Sequence, residues 1–176
     1  MRTALNAIYR ISGLAAGFFL IAIAILSLIQ IVGRLLAYGA HSFDEFAGYC
    51  MAASSFLGLA WTLRSGEHIR MTLGIDRLRG RLRRGAELLC LAAGVAIIGF
   101  FAWAALDMTW TSYQLGDLSQ GLVPIKLWIP QSAMTLGLWI LLLAFVDDLV
   151  VTAQGRVPSY TAANAVRSAD DPAFER

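Results

Sequence analysis

The stretch RSGEHIRMTLGIDRLRGRLRR, residues 64–84, lies between two long hydrophobic runs and decides how the chain is arranged. It contains seven of the fourteen lysine and arginine residues of the protein. In a membrane protein, a short loop this rich in arginine marks the cytoplasmic face, because arginine resists translocation and is attracted to anionic lipid headgroups. We therefore predict that this loop is cytoplasmic, and its side fixes the side of every other loop.

The composition is typical of a membrane protein. Of the 176 residues, 58% are hydrophobic and only 15% are charged, whereas soluble domains average about 25% charged residues. The only lysine, Lys126, follows Ile125 rather than glycine. This excludes the phosphate-binding pattern GxxxxGK[ST] of ATP-driven motors. Cys50 and Cys90 lie inside hydrophobic runs and are expected to be small packing residues rather than a disulfide or a metal pair.

Charge-free hydrophobic runs locate four spans, at residues 11–33, 46–63, 88–106 and 127–146. Each is near the roughly 20 residues that a helix needs to cross a hydrocarbon core of about 30 Å. The first run is longer than the roughly 7–15 residues of a signal-peptide core, so we interpret it as a retained span. The sequence thus predicts an all-α integral membrane protein with four transmembrane helices in one domain, residues 1–153, and a polar, disordered tail, residues 154–176.

The charges beside the spans also predict the orientation of the chain. Arg2 and Arg10 precede the first span, which favours a cytoplasmic N-terminus, and four spans return the C-terminus to the same side. Within the arginine-rich loop, Ile75, Leu78 and Leu82 share one helical face, which predicts a short amphipathic helix on the inner leaflet. The arginines predicted to set the topology and to contact lipid headgroups there are Arg77, Arg79, Arg81, Arg83 and Arg84.

Few residues inside the spans could carry chemistry. Asp107 is the best candidate, but it falls just past the third run and one helical turn from Trp110, so we interpret it as a hydrated residue at the membrane interface. The only two histidines, His41 and His68, are predicted on opposite sides of the membrane and cannot ligate one haem iron or one metal ion. We therefore predict no catalytic, cofactor or metal site in this chain.

The second span has little side-chain bulk. Eight of its 18 residues are alanine, glycine or serine, and small residues allow helix backbones to approach closely in lipid. Gly48, Ala52 and Ser55 have the spacing that stacks residues along one side of a helix. Ser54 and Gly58 form a further pair of small residues four positions apart. We predict that this span packs against protein and that the face with Gly48, Ala52 and Ser55 meets a partner subunit.

Three segments of the sequence carry a family resemblance. They are FDE at residues 43–45, LRSGEHIRM at residues 63–71 directly after the second span, and WIPQSAMTLG at residues 128–137 in the fourth. With the number and order of the spans, they resemble the small membrane subunit, of the DctQ type, of tripartite ATP-independent periplasmic (TRAP) transporters. The resemblance covers the chain up to about Val151, and GEHIR at residues 66–70 is its most specific part.

The resemblance implies a function. In such systems a large multi-span subunit carries the substrate with coupling ions, usually sodium, and a periplasmic binding protein delivers an organic acid such as a C4-dicarboxylate or sialic acid. The small subunit lies in the bacterial inner membrane and braces the large one. No cofactor is then expected in this chain, and sodium ions are expected in the large partner. The matching positions that become candidate subunit or lipid contacts are Glu45, Arg64, Glu67, His68 and Arg70.

Two alternatives stand beside this interpretation. An autonomous small four-span transporter would need an ionisable group facing a path through the membrane, and the spans offer no clear one. A cofactor-free membrane anchor of a respiratory complex would instead show quinone-linked activity when purified with its neighbours.

Overall fold

Four long helices make up most of the structure. The computed structural model describes residues 2–36, 43–65, 81–121 and 123–154. The helices are α1 (Arg2–Leu35), α2 (Phe43–Arg64), α3 (Arg81–Leu115) and α4 (Trp128–Ala153). All four are long and apolar enough to cross a membrane, and the described residues form no strand, only one isolated bridge between Leu118 and Lys126. The prediction of an all-α chain with four helices of membrane-spanning length is confirmed over these residues.

Each helix is longer than the charge-free run that predicted it. The hydrophobic pattern ends at the first charge, but the backbone gains from continuing its internal hydrogen bonds wherever water is scarce. The difference is clearest in α3, which starts before residue 88 and continues past Asp107 to Leu115. Residues 81–84, which end the predicted amphipathic helix, lie in the first turn of α3, and residues 75–80 of that predicted helix lie outside the described residues.

Two parallel helices, α2 and α4, form the centre of the bundle. α1 packs antiparallel against α2, and α3 packs antiparallel against α4, so that the spatial order is α1–α2–α4–α3. α1 and α4 touch only slightly. The core cluster consists of Ala60 and Leu63 from α2, Leu141 and Ala144 from α4, and Tyr9 from α1. On the flanking helices, large apolar side chains such as Phe18 and Phe100 point outward, as lipid-facing helices require.

Two hydroxyl groups join α1 and α2 in opposite directions. Ser12 of α1 donates a hydrogen bond to the carbonyl oxygen of Leu57 at 2.5 Å. Ser54 of α2 donates to the carbonyl oxygen of Ala16 at 2.9 Å. Both serines are buried, so the bonds are sheltered from water. The two bonds lie one helical turn apart and fix the axial register of the two helices.

The central helices α2 and α4 cross at Gly137. A Cβ atom added to Gly137 would lie 2.5 Å from the carbonyl carbon of Phe56 and 2.9 Å from the backbone nitrogen of Leu57. No side chain fits at such distances, so only glycine allows the two backbones to approach this closely. Gly137 ends the WIPQSAMTLG segment, and the close crossing gives it a definite structural role.

α3 is held against α4 by threonines and by an aromatic ring. The Thr135 hydroxyl lies 3.1 Å from the carbonyl oxygen of Ala105, to which it donates, and 2.8 Å from the hydroxyl of Thr109. Further along the pair, the ring of Phe145 covers Gly94. These contacts place Thr109 level with Thr135 along the bundle axis.

A short hairpin connects α3 to α4. Gly116 ends α3 with a φ of 67°, a left-handed conformation that glycine adopts at no steric cost. The next residue, Asp117, donates its N–H to the carbonyl oxygen of Ser112 at 3.1 Å, which completes the usual glycine-based helix end. Ser119 then donates its N–H to the carbonyl oxygen of Ile125 at 2.8 Å. This bond joins the two described arms of the connection, residues 116–121 and 123–127.

Candidate functional site

One side of α2 is left uncovered by the other described residues. We define the free face as Gly48, Met51, Ala52 and Ser55. A Cβ added to Gly48 would have no atom within 4 Å, Met51 is 62% exposed, and Ser55 is exposed. Ala52 is half-buried between them. The sequence-predicted residues Gly48, Ala52 and Ser55 thus share one surface that none of the other three described helices occupies.

The remaining small residues of α2 pack inside the molecule. Ser54 bonds to α1, and a Cβ on Gly58 would meet the Cβ of Ala16 at 3.6 Å. Ala53 and Ala60 are buried. α2 therefore has two sets of small residues. One set packs against α1 and α4, and the other set, the free face, is available for contact with another protein. The free face has the features that allow a further helix backbone to approach.

A polar cluster joins three helices at the end of the bundle where α1 begins and α2 and α4 end. Arg64 donates to the carboxylate of Asp147 at 2.5 Å and to the side-chain oxygen of Asn6 at 2.9 Å. Its guanidinium group also lies 4.9 Å from the centre of the Tyr9 ring. The side chains of Arg64 and Asp147 are only 19% and 21% exposed. A charged hydrogen bond of this kind contributes on the order of 1.5–3 kcal/mol.

Two buried groups complete the polar cluster. Asp148 and Tyr9 are each about 1% exposed, and the Tyr9 hydroxyl has no hydrogen-bond partner within the described residues. Reasoning from the sequence missed Asp147 and Asp148, because the fourth charge-free run ended at Val146. The sequence did contain a signal for this contact. Two adjacent acids follow the fourth span directly, at the same end of the bundle where Arg64 follows the second span. Arg64, predicted as a subunit or lipid contact, has its observed partners within the chain.

Glu45 lies at the opposite end of α2, beneath the α3–α4 hairpin. Its carboxylate accepts a hydrogen bond from the Tyr49 hydroxyl at 2.6 Å. It also rests directly against Gly121, where any Cβ atom would collide with it. Glu45 therefore contacts the hairpin of its own chain and helps to seat it over the start of α2.

The other predicted contact residues fall mostly outside the described ranges. Those outside are Glu67, His68, Arg70, Arg77 and Arg79, while Arg81, Arg83 and Arg84 lie at the start of α3. Among the described residues, no group of three or more His, Cys, Asp or Glu side chains could hold a metal ion. His41 and His68 lie outside the described residues.

The fold and these surfaces together define a class: a helical, multi-pass membrane protein with its strongest polar contacts at the helix ends and one uncovered packing face. Comparison with family models narrows this class. The chain belongs to the family described as tripartite ATP-independent periplasmic transporters, DctQ component, whose model matches residues 23–155. A search of curated proteins found no significant match.

The family match confirms the resemblance inferred from the three sequence segments. It covers α2, α3 and the free face completely, and α1 from residue 23. The family is a component of a transporter and not an enzyme family, so the chain is a membrane transporter component. The respiratory-anchor alternative has no support from this comparison.

Proposed function

We propose that this chain is the small membrane subunit of a TRAP transporter in the bacterial inner membrane, and that it braces the large transport subunit. The observation that carries the proposal is the free face of α2. Small residues that line no internal contact leave room for a neighbouring helix backbone, and Gly48 has open space around it. The tripartite nature of the family supports two partners, a large multi-span subunit and a periplasmic substrate-binding protein.

We infer further that substrate and coupling ions bind outside this chain. The ionisable side chains of the polar cluster lie at one end of the bundle and Glu45 lies at the other. Asp107 is exposed on the outer side of α3. A translocation site needs ionisable groups that face the bundle interior or a water-filled path. This supports a sodium-coupled large subunit that carries an organic acid, such as a C4-dicarboxylate or sialic acid, with no cofactor in the small subunit.

The orientation is also a proposal, with both termini and the arginine-rich loop in the cytoplasm. The support is the clustering of arginine in residues 64–84, together with Arg2 and Arg10 before the first hydrophobic run. Reporter fusions after Gly80 and Gly155 should give cytoplasmic signals, and a fusion after Gly116 should give a periplasmic one. A periplasmic signal from the fusion after Gly80 would reverse the whole arrangement.

Reconstitution tests the proposed function. The chain alone, in liposomes with an imposed sodium gradient, should take up none of a panel of radiolabelled organic acids, because none of its described ionisable side chains lines a path through the bundle. Uptake of one acid should appear when the large subunit and the binding protein are added. The matched control omits only this chain and should lose uptake. Gradient-driven accumulation by this chain alone would show instead that it is an autonomous transporter.

A further inference from the structure

Asp107 lies deeper in the bundle than its position in the sequence suggests. Thr109 contacts Thr135, and Thr135 follows Trp128 by seven residues, or about 10 Å at about 1.5 Å per residue. Because α3 runs antiparallel to α4, Asp107 lies about 3 Å further from the level of Trp128 than Thr109 does. Its backbone is therefore about 13 Å below that level.

The limits of the hydrocarbon core can be placed on the same helix. Trp128 and Asp147 are nineteen residues apart, or about 28 Å along α4, which is close to the thickness of a hydrocarbon core of about 30 Å. Tryptophan is typical of the membrane interface, and Asp147 belongs to the polar cluster at the other end. Asp107 then lies near the middle of the core rather than at the interface.

The side chain of Asp107 points away from α4. Asp107 is exposed, as are Trp103, Leu106 and Trp110, and these four residues line a shallow cavity of about 260 Å³ on the outer side of α3. No described side chain forms a hydrogen bond or an ion pair with Asp107. A carboxylate at this depth that faces lipid is costly, and such residues usually pair with an opposite charge.

We propose that this face of α3 docks onto a helix of the large transport subunit that presents a lysine or arginine side chain to Asp107. The proposal rests on the proposed function and adds the location and chemistry of a contact. The two indole rings beside the carboxylate provide aromatic faces that also attract a cation. A large multi-span subunit can contact both this face and the free face of α2.

The charge of Asp107 favours the large transport subunit over other partners for this face. A second copy packed symmetrically on the same face would bring two carboxylates together, and like charges repel. The described residues of a second copy packed in another way offer no cation at this depth, because the arginines of its helices lie near the helix ends. Amine groups of lipids lie in the headgroup region and not near the middle of the core. The cation must therefore come from a different membrane subunit.

Substitution of Asp107 tests the contact. The variants Asp107→Leu and Asp107→Asn should each reach the membrane at normal levels. Affinity purification of either variant should recover at least about thirtyfold less large subunit, because a buried cation is left without its partner. Asp44→Asn is the control, since Asp44 is a carboxylate at the outer end of α2 whose side chain is 73% exposed. It should retain the complex.

A photo-crosslinking residue in place of Trp103 supplies a second readout. It should link to the large subunit, and crosslinks only to a second copy of this chain would overturn the proposal. Unchanged recovery of the complex with Asp107→Leu would also overturn it, because the carboxylate would then face lipid or water. Failure of the unmodified chain to recover any large subunit would count against the proposed function itself, so the two failures are distinguishable.

Discussion

Replacing Gly48 and Ser55 together by leucine is expected to abolish co-purification of the large subunit and organic-acid uptake, while the chain still reaches the membrane. Both positions belong to the free face, where the space above Gly48 is open. Leucine is favourable in hydrocarbon, so insertion should be unharmed. In the complex, however, the added bulk should cost roughly 1–3 kcal/mol at each position. That corresponds to an assembly about five- to 150-fold weaker for each change.

A matched control is available on α1. Gly17 also has no atom within 4 Å of an added Cβ, so Gly17→Leu introduces the same bulk on a different surface and should leave the complex intact. Co-purification with an affinity-tagged chain, normalised to its membrane level, is the measurement. If the double variant still recovers the large subunit fully, the free face of α2 meets lipid and the partner binds elsewhere.

The largest loss of stability is expected from Gly137→Ala. The new methyl group would collide with the backbone of Phe56, and backbone atoms cannot move aside as a side-chain tip can. The two central helices would have to separate, at a cost of roughly 1–3 kcal/mol or more. The thermal midpoint of the purified chain in detergent should fall by roughly 2–12 °C, with a still larger fall for Gly137→Leu.

Gly99→Ala is the comparison for that experiment. Gly99 lies on α3, and a Cβ added there would meet only the Leu142 side chain at 3.7 Å, an ordinary contact distance. The thermal midpoint of this variant should therefore be close to that of the unmodified chain. A shift equal to that of Gly137→Ala would mean that α2 and α4 do not pack closely at Gly137.

The number of helices could be predicted from the sequence, because a charge-free run of about 20 residues has few stable alternatives in lipid. The ends of the helices could not. α3 continues past Asp107 because its backbone hydrogen bonds and the threonine contact with α4 persist beyond the hydrophobic run. The spatial order of the helices was equally beyond prediction, since it depends on which surfaces fit and not on hydropathy.

The candidate surfaces were predictable only in part. Small residues occur around most of α2, so spacing alone identified Gly48, Ala52 and Ser55 as one face but did not show that Ser54 and Gly58 contact α1. The partner of Arg64 was missed for a different reason. Asp147 is far from Arg64 in sequence, and an ion pair between the ends of two parallel helices leaves no periodic pattern.

The two serine bonds between α1 and α2 have a mechanical consequence. Each hydroxyl reaches one particular carbonyl oxygen, and the two bonds point in opposite directions. Sliding α1 along α2 by one helical turn, about 5.4 Å, would pull both donors out of hydrogen-bonding distance at once. Movement of α1 along α2 would therefore have to break both bonds together, so the bonds favour motion of the two helices as one unit.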